Sequence, residues 1–202
     1  MNLCEVSCAL CGDAGSSVRF HQEPYTVHTC DTCGLDYVSP RALDLIESVY
    51  DAAYWHSDAA RRKGYSNYAG DLALQRKTFA RRLRGIEPLF ARPGRVLDVG
   101  CAGGAFLLVM LEAGWTVRGL EPSEPMRAVA EERLGAPVDG SDLMAFEPDA
   151  TFDLITLWDV LEHLPDPVGA LRRVRGWLAP GGRIVLETQN VASLVARALG
   201  KR

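Results

Sequence analysis

The sequence predicts an α/β fold, a doubly wound parallel sheet preceded by a small cysteine-rich module. Three observations carry that prediction. An apolar run, Val96 to Val99, leads into a glycine-rich turn at Gly100, Gly103 and Gly104 and then an apolar helical stretch, Ala105 to Ala113. Apolar runs and helical segments keep alternating as far as Thr188. Ahead of them stand two copies of Cys-x-x-Cys-Gly. Strand, glycine turn and helix make the first half of a βαβ unit, and the alternation implies a parallel sheet with its ligand over the strands' carboxyl ends.

The chain has 202 residues, enough for one good core plus a small module. Its net charge of −4 gives no electrostatic argument for a nucleic-acid or membrane partner. The start, Met1-Asn-Leu-Cys-Glu-Val-Ser7, has neither the basic nor the apolar region of a secretory signal. No apolar run approaches the ~20 residues of a membrane span. A cytoplasmic, reducing location is expected, and it decides how the cysteines are read.

Residues 1–39 form the first unit. Cys8-Ala-Leu-Cys11 and Cys30-Asp-Thr-Cys33 are each followed by glycine, Gly12 and Gly34, and 18 residues separate them. Two such knuckles supply four thiolates, which matches a closed, structural zinc site of zinc-ribbon type. A reducing compartment argues against disulfides, and the duplicated spacing argues against a redox pair. Ser17 to His21 and Tyr25 to Thr29 read as a hairpin that brings the knuckles together. His21 and His28 read as surface residues, and Cys4 has no partner at a suitable spacing.

Residues 40–92 read as a helical linker, broken near Gly64 and Gly70. Tyr50, Tyr54, Trp55, Tyr65 and Tyr68 cluster in it. They pack the linker against the main domain or line a ligand pocket as a lid, where aromatic faces suit a cation. Arg61 to Lys63, Arg76-Lys77 and Arg81 to Arg84 read as solvated helix faces.

Residues 93–202 form the main domain. After the opening motif come a strand at Trp115 to Glu121 and a helix at Ser123 to Leu134 with Ser123 as N-cap. A weak strand follows at Pro137-Val-Asp139, then a buried strand at Phe152 to Trp158 and a helix at Pro167 to Leu178. A turn, Ala179 to Gly182, precedes a fifth strand at Arg183 to Thr188. Glu121 lies 21 residues after Gly100, where a carboxylate can accept from ribose hydroxyls. Positions 102 and 105 are alanine, so the dinucleotide pattern G-x-G-x-x-G is absent. Asp98 would repel a diphosphate and attract an ammonium group. S-adenosylmethionine has an ammonium, a ribose and an adenine, and no phosphate.

At these residues the chain resembles the class I S-adenosylmethionine-dependent methyltransferases. Val96-Leu-Asp-Val-Gly-Cys-Ala-Gly-Gly104 is similar to the family's first motif, usually LDvGCGtG. Gly119-Leu-Glu-Pro-Ser123 resembles the second, Phe152 to Pro167 the fourth, and Leu178-Ala-Pro-Gly-Gly182 the turn before the fifth strand. The cysteine module and tyrosine-rich linker resemble a subgroup with a fused zinc-binding module. The resemblance implies a Rossmann-like sheet, of whose usual seven strands five are present, and a chain truncated before the last antiparallel pair. It implies that Asp98 and Gly100 lie against the methionine part of the cofactor, with Cys101, Ala102 and Gly104 also binding the cofactor. Glu121 would hold the ribose with Pro122 beside the adenine, which Asp142 and Leu143 would contact. Trp158 and Asp159 would close over the cofactor on the substrate side. Ala102 and Gly103 depart from the usual Gly and Thr or Ser, and Thr188-Gln-Asn190 stands where Pro often precedes Asn.

The reaction expected is in-line methyl transfer to a small-molecule acceptor such as a sugar, lipid or quinone-like compound. Alignment and exclusion of water are the main tasks. A hydroxyl acceptor needs a base, for which His163 is the candidate, with Glu162 and Asp166 as acidic neighbours. A helix-start role for His163 is the alternative. Val191 to Arg202 reads as an amphipathic helix. An RNA methyltransferase gripping substrate with the ribbon is the competing enzyme reading, which a ribbon with Arg19 as its one basic residue between Cys4 and Cys33 disfavours. A catalytically silent scaffold is the third, against which stand Asp98, Glu121 and His163.

Overall fold

The computed structural model describes residues 3–42, 72–191 and 193–194. The chain opens with five short strands: β1 (Leu3–Cys4), β2 (Ser16–Gln22), β3 (Tyr25–Cys30), β4 (Asp36–Ser39) and β5 (Arg41–Ala42). The middle three form an antiparallel sheet in the order β2-β3-β4, and β1 pairs with β5. The expected hairpin is therefore present, with Val18 opposite His28 and Phe20 opposite Val27. Buried Ser39 locks the module: its hydroxyl donates to Glu5 Oε2 at 2.6 Å and accepts the Val6 N–H at 3.1 Å.

The helical linker expected from residue 40 does not start there. Arg41 and Ala42 are strand, because β1 offers them a ladder to pair with. Helix α1 (Leu72–Ile86) is the part of that linker that the structure describes, followed by a 3-10 turn, Glu87–Leu89. It buries Leu83 and Ile86 and packs half-buried Phe79 and Ala80 on the core, an apolar stripe at helical spacing. Tyr50, Tyr54, Trp55, Tyr65 and Tyr68 lie outside the described residues.

The main sheet has β6 (Arg95–Val99), β7 (Thr116–Leu120), β8 (Phe152–Trp158) and β9 (Leu178–Glu187) in the order β7-β6-β8-β9, all parallel. Helices α2 (Ala105–Glu112), α3 (Glu124–Leu134) and α4 (Pro167–Gly176) connect them. Val96 to Val99 are all buried, as expected for a parallel strand covered on both faces. Val96 and Leu154 pack with Phe106, Met110 and Trp115 in one layer. Leu97, Val99, Ile155 and Leu157 pack with Phe146, Val174 and Trp177 in the other.

Three elements differ from expectation. The weak strand at Pro137 to Asp139 shrinks to a single bridge, Leu120 to Asp139, so the sheet has four strands among the described residues. Pro137 has no N–H to donate and the Val138 N–H goes to Glu131 Oε1 at 3.0 Å, so Asp139 makes the bridge, with its backbone bonded to Gly119 and Glu121 at 3.0 and 2.8 Å. The turn at Ala179 to Gly182 is absorbed into β9, where a register shift between Phe152 and Leu154 accommodates it. Accordingly α4 stops at Gly176, short of the expected Leu178. The helix expected from Val191 falls largely outside the described residues. No described helix is long and apolar enough to cross a membrane.

Candidate active site

The carboxyl ends of β6, β7 and β8 meet at one edge of the sheet, and each delivers a polar or aromatic side chain. Asp98 is register-paired with Thr156 on β8 and with Gly119 on β7. Its carboxylate is 2% exposed and accepts the Thr156 hydroxyl at 2.7 Å. Burial pushes its pKa up to about 7; the Thr156 bond and the Arg82 charge pull the other way, and the Glu121 charge adds to the rise.

Glu121, just past β7, is also buried. Its Oε2 accepts the Ala102 N–H and its Oε1 the Ser123 N–H, both at 2.8 Å. One carboxylate therefore joins the glycine turn to the start of α3, where Ser123 holds the N-cap position. Burial raises its pKa, against the two N–H groups and the Arg127 charge. Arg127 Nη1 donates to the carbonyls of Glu121 and Pro122 at 3.3 and 3.5 Å, leaving the Pro122 ring exposed.

Backbone conformation shapes the glycine turn. Gly100 and Cys101 donate N–H bonds to the Leu120 carbonyl at 2.7 and 3.1 Å. Gly100 has φ +70°, and a β-carbon there would come within 2.6 Å of Val160. Ala102 has φ +46°, a left-handed conformation that costs an alanine energy and a glycine almost none. Gly104 begins α2 against Ala130. Cys101 is buried and its thiol is held protonated by burial, which makes it a packing residue.

Trp158 ends β8 in an aromatic corner, 5.2 Å from Phe106 and 6.1 Å from Phe79 between ring centroids. Its Nε1 is buried with no hydrogen-bond partner among the described residues. Arg82, from α1, lies 4.6 Å over the Trp158 ring and pairs with Glu187 at the end of β9. Sequence reasoning missed Arg82 as a site neighbour; the available signal was its position three residues after Phe79 on the stripe of α1. Asp159 has φ +53°, donates its N–H to the Glu187 carbonyl at 2.9 Å and accepts from Gln189 at 3.3 Å. Left-handed backbone at a non-glycine residue is a strain that functional sites often hold.

His163 closes the 3-10 turn Leu161–His163 with its N–H on the Val160 carbonyl. Of its acidic neighbours, Glu162 accepts the Thr188 hydroxyl at 2.9 Å, and Asp166 caps α4 through the Gly169 N–H at 2.8 Å. Asp142 is exposed and accepts the Met144 N–H at 2.7 Å at the head of a turn, while Leu143 is buried beside Leu120 and Leu97.

The cysteine module presents a second constellation. Gly12 and Gly34 each return an N–H to the carbonyl of the first cysteine of their knuckle, at 2.8 and 3.0 Å. The Sγ atoms of Cys8, Cys11, Cys30 and Cys33 all lie within 4.8 Å of one another, with 3.5 Å between Cys8 and Cys33 and 3.6 Å between Cys11 and Cys30. A tetrahedron with Zn–S bonds of about 2.3 Å has edges of about 3.8 Å, so the four sulfurs fit the donor set of such an ion.

Residues 72–201 match a family described as "Methyltransferase domain". The chain belongs to that family. The methyltransferase domain is similar to the ubiquinone biosynthesis O-methyltransferase of Pseudomonas aeruginosa (strain LESB58), 36% identical over 103 residues, 48% of this chain and 44% of that protein. It is similar also to the enzyme of that name in Vibrio parahaemolyticus, 36% identical over 117 residues, 54% of this chain and 48% of that protein. The matched stretch spans about half the length of these curated relatives. Among solved structures, DesVI of Streptomyces venezuelae matches with a TM-score of 0.50 at 25% identity, covering 65% of this chain and 57% of that one.

Proposed function

We propose that the protein binds S-adenosylmethionine at the ends of β6, β7 and β8 and transfers its methyl group to a small-molecule acceptor. One observation carries the reading: two buried carboxylates, Asp98 and Glu121, frame a single glycine turn. That pair opposes a diphosphate, whereas Asp98 suits an ammonium and Glu121 a ribose diol. Gly100, Cys101, Ala102 and Gly104 bring backbone against the methionine part. Pro122, Asp142 and Leu143 serve the adenine, and Trp158 closes over the sulfonium. The cofactor arrives activated, so the chain's own work is alignment and exclusion of water. With a hydroxyl acceptor, His163 takes the proton and Asp159 orients the acceptor.

Membership in the methyltransferase domain family and the likeness to ubiquinone biosynthesis O-methyltransferases support a small acceptor, a hydroxylated quinone precursor among the first to try. Arg19, the one Lys or Arg between Cys4 and Cys33, is already paired with Asp36 at 2.8 Å, which weighs against an RNA grip. Cys8, Cys11, Cys30 and Cys33 hold a structural zinc ion in this reading, and the protein works in the cytoplasm.

The test is a melting curve with and without millimolar S-adenosylmethionine, followed by transfer of labelled methyl to hydroxylated aromatics, sugars and bulk tRNA. A stabilised protein that labels a small acceptor is the expected outcome. No shift in melting temperature would remove the cofactor from the reading, and labelled tRNA alone would replace the acceptor class.

A further inference from the structure

The cysteine module touches the main domain beside the turn that carries Glu162 and His163. Arg41, on β5 of the module, sends Nη2 across 123 positions of sequence to the carbonyl of Leu164 at 3.2 Å. Leu164 immediately follows His163, and its side chain is 8% exposed in the main core. Its carbonyl precedes Pro165, which has no N–H, so the chain there has no ladder of its own to hold it. The turn carries two backbone bonds, His163 N–H to the Val160 carbonyl at 3.0 Å and Leu164 N–H to the Leu161 carbonyl at a longer 3.3 Å. From the opposite side Thr188 grips Glu162. Below the turn lies a cleft of about 330 Å³ walled by Glu5, Cys8, Tyr37 and Arg41 of the module and by Pro165 and Asp166. On the side of that cleft the arginine bond ties the turn to the module.

Arg41 is itself well fixed. It stands opposite Cys4 in the β1–β5 pair and two residues beyond the buried Ser39 that ties β4 to Glu5 and Val6. Its guanidinium is half-buried, and burial lowers its pKa from the ordinary arginine value. A guanidinium taken partly out of water for one carbonyl is not a solvent-facing side chain at rest.

We infer that Arg41 is a positioning residue through which the cysteine module sets the place of Glu162 and His163. This rests on the reading of His163 given above. The module is then a brace for the acceptor side of the site. A displacement of about 1 Å at such a turn is enough to cost catalysis heavily.

The experiment uses the full chain, zinc-loaded, with Arg41→Ala, Arg41→Gln and Arg41→Lys. Proton NMR follows the histidine ring signals, with that of His163 assigned by its loss in His163→Gln. Exchange of the His163 and Leu164 amides is followed alongside. Arg41→Ala should shift or broaden the His163 signal and speed those two amides about tenfold, the scale of one charged hydrogen bond. The His21 and His28 signals and the zinc content should stay as in the parent chain. Arg41→Lys, which keeps a donor, should recover most of the effect, and Arg41→Gln covers the case in which the alanine variant does not fold. An unchanged His163 signal in Arg41→Ala and Arg41→Gln overturns the inference, and so does an equal disturbance of His21 and His28. The melting shift with S-adenosylmethionine is read in the same samples. Its absence from the parent chain would fault the methyltransferase reading, whereas its presence beside an undisturbed His163 would fault only the brace.

Discussion

Thr156 on β8 donates a 2.7 Å hydrogen bond to Asp98 on β6 from the register-paired position. The two side chains share one face of the sheet, and both are buried. The bond fixes which way the carboxylate points and partly offsets its desolvation. It does not cancel it, because burial still lifts the pKa from 3.8 to about 7.

That shift makes cofactor binding depend on pH. A carboxyl whose native pKa lies above its unfolded value favours the folded state at low pH, and the contribution is lost as pH rises from about 4 to about 7. An ammonium ligand needs the ionised form. Affinity for S-adenosylmethionine should therefore climb about tenfold per pH unit from pH 5 and level off above about 7. Asp98→Asn should flatten the profile, abolish the cofactor's melting shift and raise the melting temperature of the free protein at pH 8. Calorimetric titration from pH 5 to 8 reads the profile, and a parent chain with constant affinity across that range would contradict it.

Ala102 is the strained member of the glycine turn, at φ +46°. Ala102→Gly relieves a left-handed β-carbon, at some cost in unfolded-chain entropy, for a net gain of about 1 kcal/mol. In a chain of this size that is about 2–4 °C in melting temperature. The Ala102 N–H to Glu121 bond should survive, so cofactor affinity is expected to hold or improve. A lower melting temperature would mean that the alanine methyl packs usefully.

The sequence showed strand, glycine turn and helix at Arg95 to Glu112 almost to the residue, because that motif is local: period, glycine and helix follow one another along the chain. Asp98 and Glu121 were legible for the same reason, each lying at the end of a recognisable strand. Pro137 to Asp139 read too strongly, since a short apolar stretch does not reveal that Pro137 has no N–H for the ladder and that Glu131 takes the one on Val138, which leaves Asp139 to make the bridge. Arg82 and Arg41 were not legible as site neighbours at all. Each acts across a long separation, on Glu187 and on Leu164, and a charged residue in a basic helix or at a strand end carries no mark of its partner.

The four-cysteine cluster predicts one zinc ion per chain. A strong chelator, or Cys30→Ser, should release it and unfold residues 3–42, because so small a module has little core without its metal. Helices and strands of the main domain should remain, visible as retained far-ultraviolet dichroism with a lower melting temperature. Metal analysis that finds no zinc in protein purified without chelator would refute the site.

Arg82 and Glu187 should move the Asp98 titration in opposite directions. The Arg82 guanidinium lowers the Asp98 pKa through its charge, and Glu187 holds that guanidinium over Trp158. Arg82→Met keeps apolar packing against Trp158 and Phe79 but deletes the charge. The midpoint of the affinity profile should then rise, with a loss of about two- to tenfold in S-adenosylmethionine affinity at pH 7. Glu187→Gln leaves the guanidinium unneutralised beside the site, so the midpoint should fall. Repulsion between the freed arginine and the sulfonium would weaken binding at pH 8 in Glu187→Gln, where Asp98 is ionised in both chains. Midpoints that shift the same way in the two variants would show that Arg82 reaches Asp98 through packing rather than through its charge.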